Sequence, residues 1–367
     1  MSAAAKPRVL IYVRAISGGA GKNAVIYANI LAAAGHEVEL CCGTAPAQAQ
    51  FPVDAAVTLR VFGRRRSLAA VPHLRRRLAG FAPAICLVVD ATNLPAMLLA
   101  LPACPARPQL ILREALSTRQ RADMRGPVMR AVKRVIHRIG YRRCDRVIAL
   151  TREMRDELLG YWGLPADKVV QIPNGVAVAP LPPNQPQIRR RAGGIICVAR
   201  LEAQKDVATL LRAFALLRRD TDCHLAVAGS GRLLDALRSQ ARLLKIEDHV
   251  DFLGHVAETA PLYAAAQLCV LPSRWEGFPN VVIEALAQGT PVVATATPGA
   301  VEILQDRDAG LLCRIGDAED MAAKIAEALS VAYDPENLRR LAETFSDEKL
   351  EQRVLSLISG IRSDLPA

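Results

Sequence analysis

Residues 273–295, SRWEGFPNVVIEALAQGTPVVAT, place a polar loop, a predicted helix and an apolar strand in immediate succession. The helix is predicted over Pro279–Gln288, because proline suits the first helical position and apolar residues fill the following turns. The segment PVVAT after it is rich in β-branched residues, which is typical of a strand. This order of loop, helix and strand indicates a parallel sheet with crossover helices.

The same alternation continues along the chain in both directions. In the second half, the predicted strands are GIICVA, HLAVAG, VDFLG, QLCVLP and PVVAT, with further helices at Val207–Leu217 and Leu233–Leu244. In the first half they are RVLIYV, EVELCC, VTLRVF, ICLVVD, QLILR and RVIAL, with a helix at Lys22–Ala34 after the first strand.

A proline-rich segment separates the two halves. Four prolines between Pro180 and Pro186 permit neither a helix nor a central strand. The sequence therefore predicts two α/β domains, residues 1–178 and 179–346.

Length and composition agree with two soluble domains. The chain has 367 residues, of which 51% are apolar, and its longest apolar stretches are too short to span a membrane. The N-terminus lacks the pattern of a signal peptide. The nine cysteines fall mostly in strand-like runs with no paired spacing, which favours a reducing compartment and excludes a structural zinc site. We therefore expect a cytoplasmic protein.

Two glutamates in the opening stretch are candidate ligand-binding residues. Glu276 lies in the loop, and Glu284 lies about a turn and a half into the helix. Eight helical residues span about 12 Å, which is too far for two carboxylates to share a proton. They should bind different parts of one extended ligand. Glu284 has apolar neighbours and requires hydrogen-bond donors, which ligand hydroxyls could supply, unless it is an ordinary glutamate on a solvent-facing surface.

Three loops carry candidate phosphate-binding groups. In VARLEAQKD, Arg200 follows a strand and Lys205 opens a helix, so two cations can converge on a diphosphate; the alternative is solvated loop charges. A second loop, ISGGAGK, has Gly18 and Gly19 before a helix. It departs from a Walker A motif, because Ile16 occupies the position of the first glycine and Asn23 that of the serine or threonine. Gly229 and Gly231 form a similar turn in AGSGR. Either glycine segment is compatible with an ordinary tight turn.

The positive charge is concentrated in the first half of the chain. Residues 1–180 hold 26 Lys and Arg against 11 Asp and Glu, whereas residues 181–367 hold 21 against 25. The segment Arg125–Arg143 predicts an amphipathic helix with Val128, Val132, Val135, Ile136 and Ile139 on its apolar face and basic residues on the rest. That face either packs inside the domain or docks on anionic lipid. Nucleic acid is disfavoured, because only 4% of the residues are aromatic and no recognition motif is present.

These motifs resemble the retaining glycosyltransferases of family 4, which have the GT-B fold. The matching features are the Glu-x7-Glu pair Glu276 and Glu284, the segment VARLEAQKD, the IPNGV linker strand, VDFLGHV and PVVATATPGAVEIL. The resemblance is strong over roughly residues 165–330 and weak before them. It implies an α/β protein with two Rossmann-like domains whose parallel sheets face a central cleft. It also implies that residues 347–367 form a C-terminal helix that returns to the N-terminal domain.

The resemblance assigns roles to single residues. Arg200 and Lys205 would contact the donor diphosphate, Glu276 the donor sugar and Glu284 the ribose hydroxyls. The remaining donor-binding candidates are Gly18, Gly19, Gly229, Gly231, Gly254, Gly277, Phe278, Pro279 and Asn280. A histidine that many members carry in the N-terminal domain is absent after strand ICLVVD, so Asn93 and Glu114 become the candidate acceptor contacts.

We therefore expect a retaining glycosyltransferase that moves a sugar from a UDP- or GDP-sugar to a glycan or lipid-linked acceptor in bacterial envelope polysaccharide or lipopolysaccharide assembly. Attachment to the inner face of the plasma membrane is a further hypothesis. No metal or other cofactor is expected, since the pairs Asp220/Asp222 and Asp306/Asp308 read as acidic turns. The alternatives are a GT-B nucleotide-sugar hydrolase or epimerase and a non-catalytic module that binds anionic polymers.

Overall fold

The computed structural model describes residues 6–45, 51–117, 127–178, 194–305 and 307–362. Contacts between residues divide the chain into two compact units. The first consists of Met1–Asn174 and Leu350–Ala367, and the second of Gly175–Lys349. The units thus change at residues 174 and 349, a few residues from the predicted boundaries at 178 and 346. The predicted proline linker, Pro180–Pro186, lies outside the described residues.

The first unit is built on a parallel sheet of seven strands in the order β3-β2-β1-β4-β5-β6-β7. The strands are β1 (Val9–Ala15), β2 (Val38–Thr44), β3 (Val57–Val61), β4 (Ile85–Val89), β5 (Gln109–Arg113), β6 (Arg146–Ala149) and β7 (Val169–Gln171). The helices are α1 (Gly18–Ala33), α2 (Val71–Phe81), α3 (Leu94–Ala100), α4 (Pro127–Arg143) and α5 (Arg152–Gly160). The six strands predicted in this half are all present.

The second unit repeats the architecture with a parallel sheet of six strands, ordered β10-β9-β8-β11-β12-β13. The strands are β8 (Gly194–Val198), β9 (His224–Ala228), β10 (Val250–Gly254), β11 (Leu268–Leu271), β12 (Val292–Thr295) and β13 (Gly310–Cys313). The helices are α6 (Val207–Leu217), α7 (Leu234–Leu243), α8 (Ala260–Ala265), α9 (Asn280–Ala287), α10 (Pro298–Ile303), α11 (Ala318–Ser330) and α12 (Pro335–Glu343). The prediction of two Rossmann-like α/β domains is therefore confirmed.

The C-terminal helix α13 (Asp347–Arg362) belongs mainly to the first unit. Its apolar side chains join the core that covers β1, β2 and α1; they are Leu350, Val354, Leu357, Ile358 and Ile361. Each of them is at most 9% exposed. Helix α13 thus completes the core of the first unit.

Helix α4 carries an exposed apolar face. Val135, Ile136 and Ile139 are 58%, 45% and 55% exposed. The interpretation that this face packs inside the domain is therefore wrong for these three residues. Val128 and Val132, predicted on the same face, lie outside the described side chains.

Candidate functional site

Two loops of the second unit carry most of the predicted site residues. The β8 loop, residues 199–206, follows β8, and the β11 loop, residues 272–279, follows β11. These strands are parallel neighbours, so their carboxyl ends lie at one edge of the sheet, where open α/β sheets bind ligands. Hydrogen bonds to and from Gln204 join the loops. The side chain of Gln204 donates to the Trp275 carbonyl at 2.9 Å, and the Arg274 amide donates to the Gln204 carbonyl at 2.8 Å.

Lys205 and Glu276 form an ion pair across these loops. Both Lys205 Nζ and Ser273 Oγ donate to Glu276 Oε1, the serine at 2.7 Å. Glu276 is only 8% exposed, and a carboxylate buried to this degree requires such partners. Its second oxygen, Oε2, has no hydrogen-bond partner among the described residues. Sequence reasoning gave Lys205 and Glu276 separate ligand contacts and did not find that they pair with each other.

Arg200 lies on the same β8 loop as Lys205 and is exposed. Its guanidinium makes a long hydrogen bond of 3.5 Å from Nη2 to Gln204 Oε1. Within the described part of the chain, no carboxylate lies within ion-pair distance of it. An exposed cation at a sheet edge, with no acidic partner there, is suited to an anionic ligand.

A second ion pair fixes the β8 loop, and sequence reasoning missed it. Asp206 is buried and adopts a left-handed backbone conformation with φ of +43°. Its carboxylate accepts from Arg274 Nε at 3.0 Å and from Thr209 Oγ1 at 2.9 Å. The contact with Arg274 again joins the two loops, so Lys205 is flanked by contacts that hold the backbone in place.

Glu284 lies on α9, which begins at Asn280 rather than at the predicted Pro279. Its carboxylate is half-buried, and Oε2 accepts a hydrogen bond of 3.3 Å from the hydroxyl of Tyr263 on α8. The sequence predicted that ligand hydroxyls would satisfy this carboxylate. A protein hydroxyl already does so in part, and nothing in the sequence spacing revealed Tyr263.

Several predicted donor-binding residues have packing roles in the structure. A Cβ on Gly229 would lie 1.8 Å from the Ala199 carbonyl oxygen, and one on Gly231 would lie 2.4 Å from that of Leu201. These glycines therefore allow the turn after β9, residues 229–231, to pack against the backbone of the β8 loop. Phe278 is buried, and its ring lies 5.4 Å from that of Phe345.

The other predicted residues of this unit are placed as follows. Gly277 and Pro279 lie in the β11 loop and are buried, and Asn280, directly after the loop, is half-buried. Gly254 ends β10 with φ of +72°. The Gly254 carbonyl accepts from the Gly229 amide at 2.7 Å.

In the first unit, the glycine segment lies inside the first turn of α1. The helix begins at Gly18, four residues before the predicted start at Lys22, so the predicted loop is shorter than expected. Gly18 has φ of +60°, and a Cβ on Gly18 or Gly19 would meet no atom within 4 Å. Open space in front of these two glycines is compatible with close approach of a phosphate.

The predicted acceptor contacts are buried. Asn93 is 2% exposed and donates from Nδ2 to the Val89 carbonyl at 2.6 Å. Glu114 is 1% exposed and accepts from the Tyr141 hydroxyl at 2.5 Å. As placed, neither side chain is accessible to an acceptor, so the structure does not support direct contact by either.

We find no candidate metal site in the part of the chain that the structure describes. No three histidine, cysteine, aspartate or glutamate side chains there form a group that could hold an ion. Asp222 is paired with Arg218 at 2.6 Å, and Asp306 lies outside the described residues. That catalysis needs no metal stays a prediction.

Within the same described ranges, no helix has both the length and the apolar character needed to cross a bilayer.

Comparison with known proteins matches most of the chain to glycosyltransferases. A family model described as "Glycosyl transferase 4-like domain" matches residues 18–175, and one described as "Glycosyl transferases group 1" matches residues 192–330. The lipopolysaccharide core biosynthesis glycosyltransferase LpsE of Rhizobium meliloti is 32% identical over 174 residues, 45% of this chain and 49% of the relative. The alpha-monoglucosyldiacylglycerol synthase of Streptococcus pneumoniae is 33% identical over 205 residues, 52% and 46% of the two chains.

The chain spans about half the length of the curated relatives it matches. A solved structure, Anabaena HepE in complex with UDP-glucose, aligns with 96% of this chain and 100% of its own at a TM-score of 0.79 and 18% identity. That likeness concerns the fold, whereas the two family models identify the family. The chain belongs to the family 4-type glycosyltransferases with the GT-B fold.

Proposed function

We propose that this protein is a hexosyltransferase that moves a sugar from a nucleotide-sugar donor to a glycan or lipid-linked acceptor. The observation that carries the proposal is the arrangement at the edge of the second sheet. There, the Lys205–Glu276 pair and the exposed guanidinium of Arg200 lie on two loops that hydrogen bonds hold together. The β8 loop thus carries two cations, and one of them pairs with a carboxylate whose Oε2 has no hydrogen-bond partner among the described residues.

Sugar transfer breaks the bond between the anomeric carbon and the diphosphate, so negative charge develops on the departing group. Fixed cations stabilise such charge strongly in a site held in advance, and losing one donor of this kind typically costs about 10²–10³ in rate. Arg200 and Lys205 supply these cations. Glu276 keeps Ser273 as a partner when Lys205 turns toward the diphosphate, and its Oε2 is available to accept from a sugar hydroxyl.

The donor is proposed to be a UDP-sugar, with a GDP-sugar as the other choice. Support comes from the complex of UDP-glucose with Anabaena HepE, which shares the fold. A rise in Tm with UDP, GDP or ADP tests this without an acceptor. A ligand at about a hundred times its Kd contributes roughly 2.7 kcal/mol, which raises Tm by several degrees. No rise with any nucleotide, but one with single-stranded RNA or DNA, would favour the polymer-binding alternative.

The stereochemical course is proposed to be retaining, as in the family that the motifs resemble. Proton NMR of the first product formed should show the same anomeric configuration as in the donor. Release of the free sugar to water in the presence of acceptor would instead indicate a hydrolase.

Acceptors in the bacterial envelope are proposed from the names of the relatives. One relative is named for lipopolysaccharide core biosynthesis and another for a glucosyldiacylglycerol. Turnover with lipid-linked and lipopolysaccharide acceptor panels tests this class. Transfer only to soluble cytoplasmic acceptors would contradict it.

Cytoplasmic location with peripheral attachment to the inner membrane face is proposed from helix α4. Val135, Ile136 and Ile139 are exposed on it, and the exposed Arg138 and Arg142 lie on the same helix. Apolar side chains beside cations suit the boundary between acyl chains and anionic headgroups.

Co-sedimentation with vesicles tests this attachment. The wild-type protein should bind phosphatidylglycerol vesicles at low salt, and the triple variant V135S/I136S/I139S should lose most binding. L243S is the control, because Leu243 is 84% exposed in the second unit and should leave binding unchanged. Equal binding by all three proteins would remove the proposal.

A further inference from the structure

Tyr263 is a buried side chain whose hydroxyl reaches the candidate nucleotide-binding glutamate. It lies on the short helix α8, is 0% exposed, and donates to Glu284 Oε2 at 3.3 Å. Its main chain is held as well, since its carbonyl accepts from Thr290 Oγ1 at 2.6 Å. Tyr263 is thus fixed both at its backbone and at its hydroxyl.

The surroundings of Glu284 explain why such a partner matters. Its helix neighbours Val282, Ile283, Ala285 and Leu286 are fully buried, whereas Glu284 itself is half-buried. The last torsion of a glutamate side chain is broad, so a carboxylate on an apolar helix is poorly oriented unless a donor fixes it. The Tyr263 hydroxyl provides a fixed donor from inside the unit.

The hydroxyl remains a donor at neutral pH. Burial raises the pKa of Tyr263 well above its usual value, and the negative charge of Glu284 raises it further. Tyr263 is therefore protonated under all working conditions, and its bond to the carboxylate is present before any ligand arrives.

We propose that Tyr263 is a positioning residue that orients Glu284 toward the ribose hydroxyls of the donor, and so sets the preference for ribonucleotides over 2′-deoxyribonucleotides. The inference rests on the proposed function, in which Glu284 accepts hydrogen bonds from the ribose. A carboxylate held by a fixed donor loses less freedom on binding the ribose than one that must first be ordered.

Calorimetric titration with UDP and 2′-deoxy-UDP tests the proposal, with GDP and 2′-deoxy-GDP run in parallel. The quantity measured is the ratio of Kd for the deoxy form to Kd for the ribo form. In Tyr263→Phe this ratio should fall by about threefold to tenfold, which is the range expected for one lost hydrogen bond. The Kd of UDP should rise by more than the Kd of 2′-deoxy-UDP, because the deoxy form keeps only the 3′-hydroxyl of the two hydroxyls that an oriented Glu284 accepts from. General damage to the fold would weaken both nucleotides together.

Tyr333→Phe is the matched control. The Tyr333 hydroxyl is also buried in the second unit, but it has no hydrogen-bond partner among the described residues. The same loss of one oxygen atom there should leave the Kd ratio unchanged.

Two further variants keep the outcome decisive. Glu284→Gln should itself lower the ratio, and Tyr263→Phe added to it should have no further effect if Tyr263 acts through the carboxylate. Should Tyr263→Phe fail to fold, Thr290→Val disturbs the placement of Tyr263 while keeping its hydroxyl, and should lower the ratio in the same direction.

The failures are distinguishable. A wild-type protein that binds no nucleotide would overturn the proposed function and this inference with it. A wild-type protein that prefers UDP, with an undiminished ratio in Tyr263→Phe, would overturn only the role of Tyr263.

Discussion

Replacing Lys205 with alanine tests the ion pair at the centre of the candidate site. The side chain of Glu276 is 9% exposed, and its hydrogen-bond donors among the described residues are Lys205 and Ser273. Removing one member of a buried pair costs about 3–5 kcal/mol, because the other charge stays buried. Ser273 remains, and the lysine side chain is 14% exposed, so we expect the lower end, about 3 kcal/mol. For a unit of this size, the Tm should fall by roughly 6–12 °C.

Differential scanning calorimetry of the ligand-free protein measures this fall. Glu276→Gln removes the charge that Lys205→Ala leaves unpaired, so the double variant should recover more than half of the lost Tm. Lys324→Ala is the control, since Lys324 and Glu327 form a pair in the same unit with side chains 29% and 41% exposed. A more exposed pair contributes at most about 1 kcal/mol, or roughly 4 °C. Additive effects in the double variant, or a Tm for Lys205→Ala no lower than that of the control, would refute the pairing.

Two other consequences of the packing can be measured directly. Gly229→Ala should lower Tm by at least about 4 °C, because the added Cβ would lie 1.8 Å from the Ala199 carbonyl oxygen and the φ of this residue is +145°. Gly160→Ala is the control and should leave Tm nearly unchanged, because its added Cβ would meet no atom within 4 Å. Similar Tm values for the two variants would contradict the close approach at Gly229. Iodoacetamide at pH 8 should label Cys104 before the other cysteines, because Cys104 is the one cysteine that is partly exposed. Burial protects the others further, since it raises the pKa of a thiol, that of Cys42 to about 11. Peptide mass spectrometry reads the order of labelling, and earlier labelling of Cys41 or Cys197 would be inconsistent with the fold.

The sequence was sufficient for elements that have a strong local pattern. Helix α6 and strand β10 have the predicted limits, Val207–Leu217 and Val250–Gly254, because regular apolar spacing and β-branched runs specify them locally. Helix α1 starts earlier than predicted, since Gly18 and Gly19 were interpreted as a loop although glycine also tolerates a first helical turn.

Contacts between distant residues could not be predicted in this way. Ser273 lies three residues before Glu276, so a short polar spacing hinted at their bond, but Lys205 and Glu276 are separated by 71 positions. No period in the sequence joins Tyr263 to Glu284 either. The apolar face of α4 has the pattern of a buried face, and periodicity alone does not say whether the protein itself or a membrane surface covers it.

The return of α13 to the first unit determines the order in which the protein can fold during synthesis. The core of the first unit lacks five apolar side chains until the ribosome has translated beyond Ile361. The second unit, by contrast, is contiguous in sequence and is complete at Lys349. Domains commonly fold as units from the N-terminus onward during translation. Here the unit that begins first is finished last, and the nascent N-terminal unit stays incompletely packed while the later unit is synthesised.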